Sequence, residues 1–170
     1  MKLYHGGLQP ITAPKIIRSE LGRDFGFAFY TTTLKSQAER WALRRWQSAY
    51  RNGNKNAHAV VSVFEFADVS AQTNLTWQNY SDASLDWLEL VIACRSNLTY
   101  FPGYDIISGK IADDNVGETI AYVLAGVMRK EDAIKRLKFQ KINNQIAFCT
   151  EQSLSYLTFE SSYIVKELHQ

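Results

Sequence analysis

The chain has little of what usually places a protein at first reading. Only two of its 170 residues are cysteine, Cys94 and Cys149, both in apolar runs. A single possible bridge does not make a disulfide-rich secreted scaffold, and two reduced, buried thiols are expected. Charge of one sign is also scarce: 19 basic against 17 acidic residues leave a formal +2. That balance excludes a protein whose main work is neutralising nucleic-acid phosphates. No window approaches the roughly 20 apolar residues of a membrane span. The residues after Met1 (Lys2, Tyr4, His5, Gly6) lack the apolar core of a secretion signal, so a soluble, cytoplasmic chain without a membrane partner is expected.

Motifs are missing as well. Neither G-x-G-x-x-G nor G-x-x-x-x-G-K-[ST] occurs, so a bound dinucleotide would not be held as in a Rossmann fold. Without G-x-S-x-G or H-E-x-x-H, a serine elbow or a zinc hydrolase has no support, and no His/Cys/Asp/Glu spacing suggests a metal site. No repeat or low-complexity tract interrupts the chain, and residues 1–170 are expected to form one domain.

What is present is 46% hydrophobic and 13% aromatic residues, enough for one substantial core. Residues 2–5 predict a short strand ending at Gly6-Gly7, then a loop with Pro10 and Pro14 and an extended stretch at 15–18. Leu34, Ala38, Trp41, Ala42, Leu43 and Trp46 recur at helical spacing after Thr33, a candidate N-cap. That helix should end before Asn52-Gly53-Asn54, with both tryptophans in the core and Arg40, Arg44, Arg45 and Arg51 solvated. Residues 57–66 read as a central strand that includes His58. Residues 81–93 open with capping residues and carry Leu85, Leu88 and Ile92 on one stripe, as a helix does; Trp87 on it is core or recognition surface. A strand at 104–107, helices at 117–128 and 131–137, and strands at 145–149 and 156–165 around a turn at 151–154 complete a mixed α+β class.

Of three histidines, His5 alone adjoins a glycine pair, whose backbone groups are open to a ligand. Local sequence alone favours a plain turn after an edge strand. In Asp24-Phe25-Gly26-Phe27-Ala28-Phe29-Tyr30-Thr31-Thr32 the phenylalanines can pack inward and leave Tyr30 as a flat stacking surface, although a buried strand ending in tyrosine fits too.

Set beside Asn144-Gln145-Ile146-Ala147-Phe148, these segments resemble the ADP-ribosyltransferase superfamily of the diphtheria-toxin and poly(ADP-ribose) polymerase type. There a His, a Tyr and a third polar residue come from three separated strands, matched here by His5, Tyr30 and Gln145. The order His5-Gly6, Asp24-Phe25-Gly26-x-x-Phe29-Tyr30-x-Thr32, Gln37-Ala38-x-x-Trp41-Ala42 and Tyr104-Asp105-Ile106-Ile107-x-Gly109-x-Ile111-Ala112-Asp113-Asp114 is similar to a bacterial family of uncharacterised domains in that superfamily, from Leu3 to about Phe159. Ala28 stands where that family usually has glycine.

The resemblance implies a split two-sheet core with flanking helices and NAD⁺ as substrate. Gly6 would hold the nicotinamide carboxamide through its backbone, His5 the adenosine ribose, and Tyr30 would stack on the nicotinamide. Arg18 is the candidate for the pyrophosphate, with Thr32 and Asp113 as further ligand contacts. Cleavage passes through an oxocarbenium-like state that a nearby negative charge stabilises. Gln145 stands where the best-studied relatives carry glutamate and supplies no charge. The implied activity is therefore mono-ADP-ribosyl transfer to a protein or nucleic acid, or NAD⁺ hydrolysis, with a carboxylate from Asp113-Asp114, Glu151 or the acceptor. Asp113-Asp114 also reads as a helix cap or solvated pair. A bacterial toxin with a neighbouring antitoxin is the expected setting, and an inactive NAD⁺- or ADP-ribose-binding module is the alternative.

Overall fold

Alternating apolar residues and turn chemistry account for most of the observed elements. In a computed structural model, described for residues 1–18, 23–67, 74–110, 114–138 and 144–166, seven strands form two sheets and five helices flank them. The first sheet holds β1 (Lys2–Gly7), β3 (Val60–Phe66) and β7 (Leu157–Ile164), antiparallel in the order β1-β3-β7. β3 is central as expected, and buries six of its seven residues, all but Glu65. The second sheet, ordered β2-β6-β5-β4, comprises β2 (Phe29–Thr31), β4 (Trp77–Tyr80), β5 (Ile106–Lys110) and β6 (Asn144–Phe148). Its pairs are antiparallel except β4 with β5.

The second sheet is covered on both faces. On one, Phe29, Ile106, Ile146 and Phe148 pack against Leu3, Phe64 and Phe66 of the first sheet. On the other, Ala147 and Ile107 pack against Trp87, Leu88 and Val91 of α2 (Leu85–Ser96), Ile120 of α3 (Asp114–Leu124) and Ala133 of α4 (Lys130–Lys138). Consecutive Ile106 and Ile107 are both fully buried, as a two-sided strand requires. Trp87 is thus a core residue. Ser84 caps α2, its hydroxyl accepting the Trp87 N–H at 3.1 Å. A four-residue helix, α5 (Glu151–Leu154), opens with a capping box at Thr150 and Ser153.

Helix α1 (Lys35–Arg51) lies over the end of β1, with Ala38 and Ala42 against Val61 and Ala59 and with Trp46 half-buried at the margin. The expectation for Trp41 is corrected: Ala38 and Ala42 take the closest approach to β1, Leu43 and Trp46 pack at its margin, and Trp41 lies off this face, 45% exposed. Thr33 does not cap α1; Leu34 occupies the N-cap, and the Thr33 hydroxyl accepts from Asn144 Nδ2 at 2.7 Å. Other differences are local. β1 continues through Gly6 and Gly7, His58 is exposed ahead of β3, and Leu85 is exposed where Leu90 is buried. The stretch at 15–18 makes one bridge, Ile17 to Ala28. Among the described residues no helix is long and apolar enough to cross a membrane.

Among the described residues the two sheets are hydrogen-bonded at one bridge, where Tyr4 N–H donates to Thr32 O at 2.9 Å and Thr32 N–H to Tyr4 O at 3.0 Å. Beyond it β1 and β2 belong to different sheets. This seam positions the candidate site.

Candidate functional site at the seam between the sheets

β1 brings His5 and Gly6 to the seam. Backbone groups of an antiparallel strand alternate in direction, and those of Tyr4 face Thr32. Gly6, two residues on, turns its N–H and C=O the same way, away from β3. Its lack of a side chain has a separate cause on the helix side: a Cβ there would stand 2.3 Å from Ala38 O and 3.0 Å from Ala42 N. Glycine at this position is what lets α1 seat on β1.

His5 reaches across the seam, its ring stacked on Phe29 at 4.6 Å between centroids and its Nδ1 at 2.7 Å from the Tyr30 carbonyl oxygen. A carbonyl only accepts, so Nδ1 carries the hydrogen and Nε2 keeps the lone pair. Burial holds the His5 pKa below its ordinary value, with the charges of Arg23 and Arg45 acting in the same direction against the hydrogen bond to Tyr30. The result is a neutral imidazole whose Nε2 is an acceptor.

Tyr30 stands opposite Ala147, and Gln145 two residues before Ala147, so Tyr30 and Gln145 are diagonal neighbours on one face of the second sheet. The Tyr30 hydroxyl donates to Gly26 O at 2.6 Å and accepts from Phe25 N–H at 3.3 Å, which fixes the ring against its own loop. Burial, then the charge of Asp24, keep its pKa well above the ordinary phenol value, so it is no nucleophile. The Arg23 guanidinium lies 5.7 Å from the ring centroid.

Gln145 is 7% exposed, and its Nε2 approaches Asp24 Oδ2 at 3.5 Å. A carboxylate only accepts, which turns the amide nitrogen toward Asp24 and leaves Oε1 to face away. Asp24 is itself 7% exposed and is gripped by Arg95, whose Nε and Nη2 lie 2.9 and 2.7 Å from Oδ1. At Gly109, across from Gln145, a Cβ would stand 3.1 Å from Phe25 Cζ and 3.3 Å from Tyr80 Cβ, a tight fit that these side chains would have to ease. On its other side Gln145 joins Asn144, Ser108, Tyr80 and Trp77 in lining an open groove of about 450 Å³ at the ends of β4, β5 and β6. Neither His5 nor Tyr30 is among its described lining residues.

The structure therefore ties the His5 ring to the Tyr30 backbone at the seam and sets Tyr30 and Gln145 as neighbours on one face of the second sheet. It adds Arg95 and Arg23, which sequence reasoning did not mark, and gives a contact to Asp24, which stood in the motif without a role. Asp24 opens the aromatic segment, but its contacts lie 71 and 121 residues away in sequence and no local pattern signals them. Thr32 is close by and buried, its hydroxyl donating to Asn144 Oδ1 at 2.8 Å and accepting from Leu34 N–H at 3.1 Å; it ties β2 to β6 and α1. Arg18 is exposed, one residue past the Ile17–Ala28 bridge. Asp113 lies outside the described residues, and Asp114 is the first residue of α3. Glu151 is exposed on α5, beyond the end of β6 opposite to Gln145. Asp24, which was not among the expected carboxylates Asp113-Asp114 and Glu151, is the acid seen beside Gln145. Cys94 and Cys149 are buried free thiols pushed by burial up to about 12, and are chemically inert.

Residues 1–159 match the family model DUF3990, described as a protein of unknown function, and the chain belongs to this family. A search of the curated proteins found none that matches.

Proposed function

We propose that this DUF3990 chain is an NAD⁺-dependent mono-ADP-ribosyltransferase with its site at the seam. What supports this reading is that β1, β2 and β6, joined edge to edge across the seam, carry in turn an acceptor-bearing neutral imidazole bonded to the Tyr30 carbonyl, an aromatic ring held by its own loop, and an amide backed by a carboxylate. The seam-facing N–H and C=O of Gly6 match the donor and acceptor of a carboxamide. His5 Nε2 accepts from a ribose hydroxyl, and the Tyr30 ring offers a face to a planar heterocycle. Gln145 Oε1 accepts a hydroxyl of the nicotinamide ribose. The Asp24 carboxylate behind it supplies the field that favours an oxocarbenium-like state. The C1′–N bond breaks with its electron pair leaving on nicotinamide; the acceptor's lone pair then bonds C1′ and the acceptor loses a proton.

The acceptor is a protein or nucleic acid of the cell in which the protein acts, as for a cytoplasmic bacterial toxin restrained by an antitoxin. One observation favours a second reading, a binding module for NAD⁺ or ADP-ribose: Gln145 is buried and uncharged. Incubating the purified protein with NAD⁺, with and without cell lysate, separates them. Nicotinamide release with label on a macromolecule supports the transferase. Release with free ADP-ribose alone makes water the acceptor and the protein a glycohydrolase. Saturable binding without release supports the module.

A further inference from the structure

Arg23 carries a group that nothing among the described residues satisfies. Its Nε is buried and has no hydrogen-bond partner, in an interior where nearly all such donors are paired. Its acidic neighbour, Asp24, has Oδ1 gripped by Arg95 and Oδ2 toward Gln145. The guanidinium lies along the Tyr30 ring, and its charge is felt at His5. A second cation whose charge lowers the His5 pKa comes from another element: Arg45, exposed on α1 one turn beyond Ala42. Two guanidinium groups from separate elements thus act on the charge of one neutral histidine, Arg23 lying over the neighbouring Tyr30 ring. An unpaired N–H fork with positive charge calls for an acceptor-rich anion, and guanidinium matches phosphoryl oxygens in bidentate geometry.

We propose that Arg23 and Arg45 form a clamp for the diphosphate of a nucleotide, Arg23 donating Nε–H and an Nη–H to one phosphoryl group and Arg45 pairing with the other. The clamp rests on the proposed NAD⁺ site in taking that substrate's diphosphate as the ligand, and it replaces Arg18 in that role. It explains why the buried donor is left open: the ligand completes it.

Calorimetric titration with ADP, inorganic pyrophosphate and adenosine tests this in wild type, Arg23→Gln and Arg45→Gln. Wild type should bind ADP at least about tenfold more tightly than adenosine, the scale of charge-assisted hydrogen bonds. Arg23→Gln should remove that preference and leave adenosine binding unchanged. Arg45→Gln, at an exposed group, should lower ADP affinity several-fold and flatten its salt dependence. Equal wild-type affinity for ADP and adenosine overturns the clamp, as does an ADP preference that survives both substitutions. Should Arg23→Gln fold poorly, the wild-type ratio and Arg45→Gln still decide. ADP preference lost in Arg23→Gln, in a protein that never consumes NAD⁺, upholds the clamp and refutes the transferase. NAD⁺ consumption with KM unchanged by Arg23→Gln does the reverse.

Discussion

Replacing Gln145 by glutamate restores the residue that the resemblance implies, and the structure predicts that it harms the protein at neutral pH. The new carboxylate would sit about where Nε2 now lies, 3.5 Å from Asp24 Oδ2. Two unit charges at that separation repel by about 5 kcal/mol at an effective dielectric of about 20. Arg95, already paired with Asp24, offsets roughly half, leaving about 2 kcal/mol against the ionised form. The pKa of the introduced carboxyl in the folded protein should therefore rise from its ordinary ~4.3 to about 6. A folded-state pKa above the unfolded one means that the penalty is absent below about pH 4.3 and grows as pH rises through the folded value. Gln145→Glu should thus melt within about a degree of wild type near pH 4 and about 4–8 °C lower at pH 7. Asp24→Asn in the same chain should recover most of the loss, because one charge remains beside Arg95. Thermal melts of wild type, single and double variants between pH 4 and 8 make the test. A Gln145→Glu protein whose difference from wild type is flat with pH, or which is more stable at pH 7, would refute the coupling of Gln145 to Asp24.

Gly6→Ala should destabilise through packing against α1: its Cβ would meet backbone, Ala38 O at 2.3 Å, which cannot turn aside. A cost of about 1–3 kcal/mol is expected, read as a melting temperature lower by about 2–12 °C; an unchanged melt contradicts the seating of α1 on β1. His5 has a folded pKa below its ordinary value of 6.5, so its contribution to stability is present above that pH and is lost as pH falls through the folded value. His5→Ala should accordingly lose part of the acid-side slope of stability against pH, and a superimposable slope in both proteins contradicts a buried neutral imidazole.

Much of the fold was legible because periodicity reports burial. The helical spacing of 34–46 and the β-rich run at 57–66 found α1 and β3, and the capping residues near Ser84 found α2. β4 was not found, since Trp77–Tyr80 is four residues of exposed and half-buried pattern at a sheet edge, held by parallel pairing to β5. Trp41 misled because spacing identifies a face without showing what covers it; here the closest contact with β1 is made by Ala38 and Ala42, and Trp41 lies off it. At the site, His5, Tyr30 and Gln145 stood out by residue type and order. The Asp24–Arg95 pair did not, because its two members come from a loop and a helix and meet only in the folded chain.

The central claim is that the seam binds and consumes NAD⁺, and nicotinamide release by wild type, His5→Ala and Gln145→Ala tests it most directly. The account predicts release by wild type and a loss of about 100-fold or more in each folded variant, the scale of losing one positioned polar group in a transition state. Wild-type release that neither substitution reduces would contradict it.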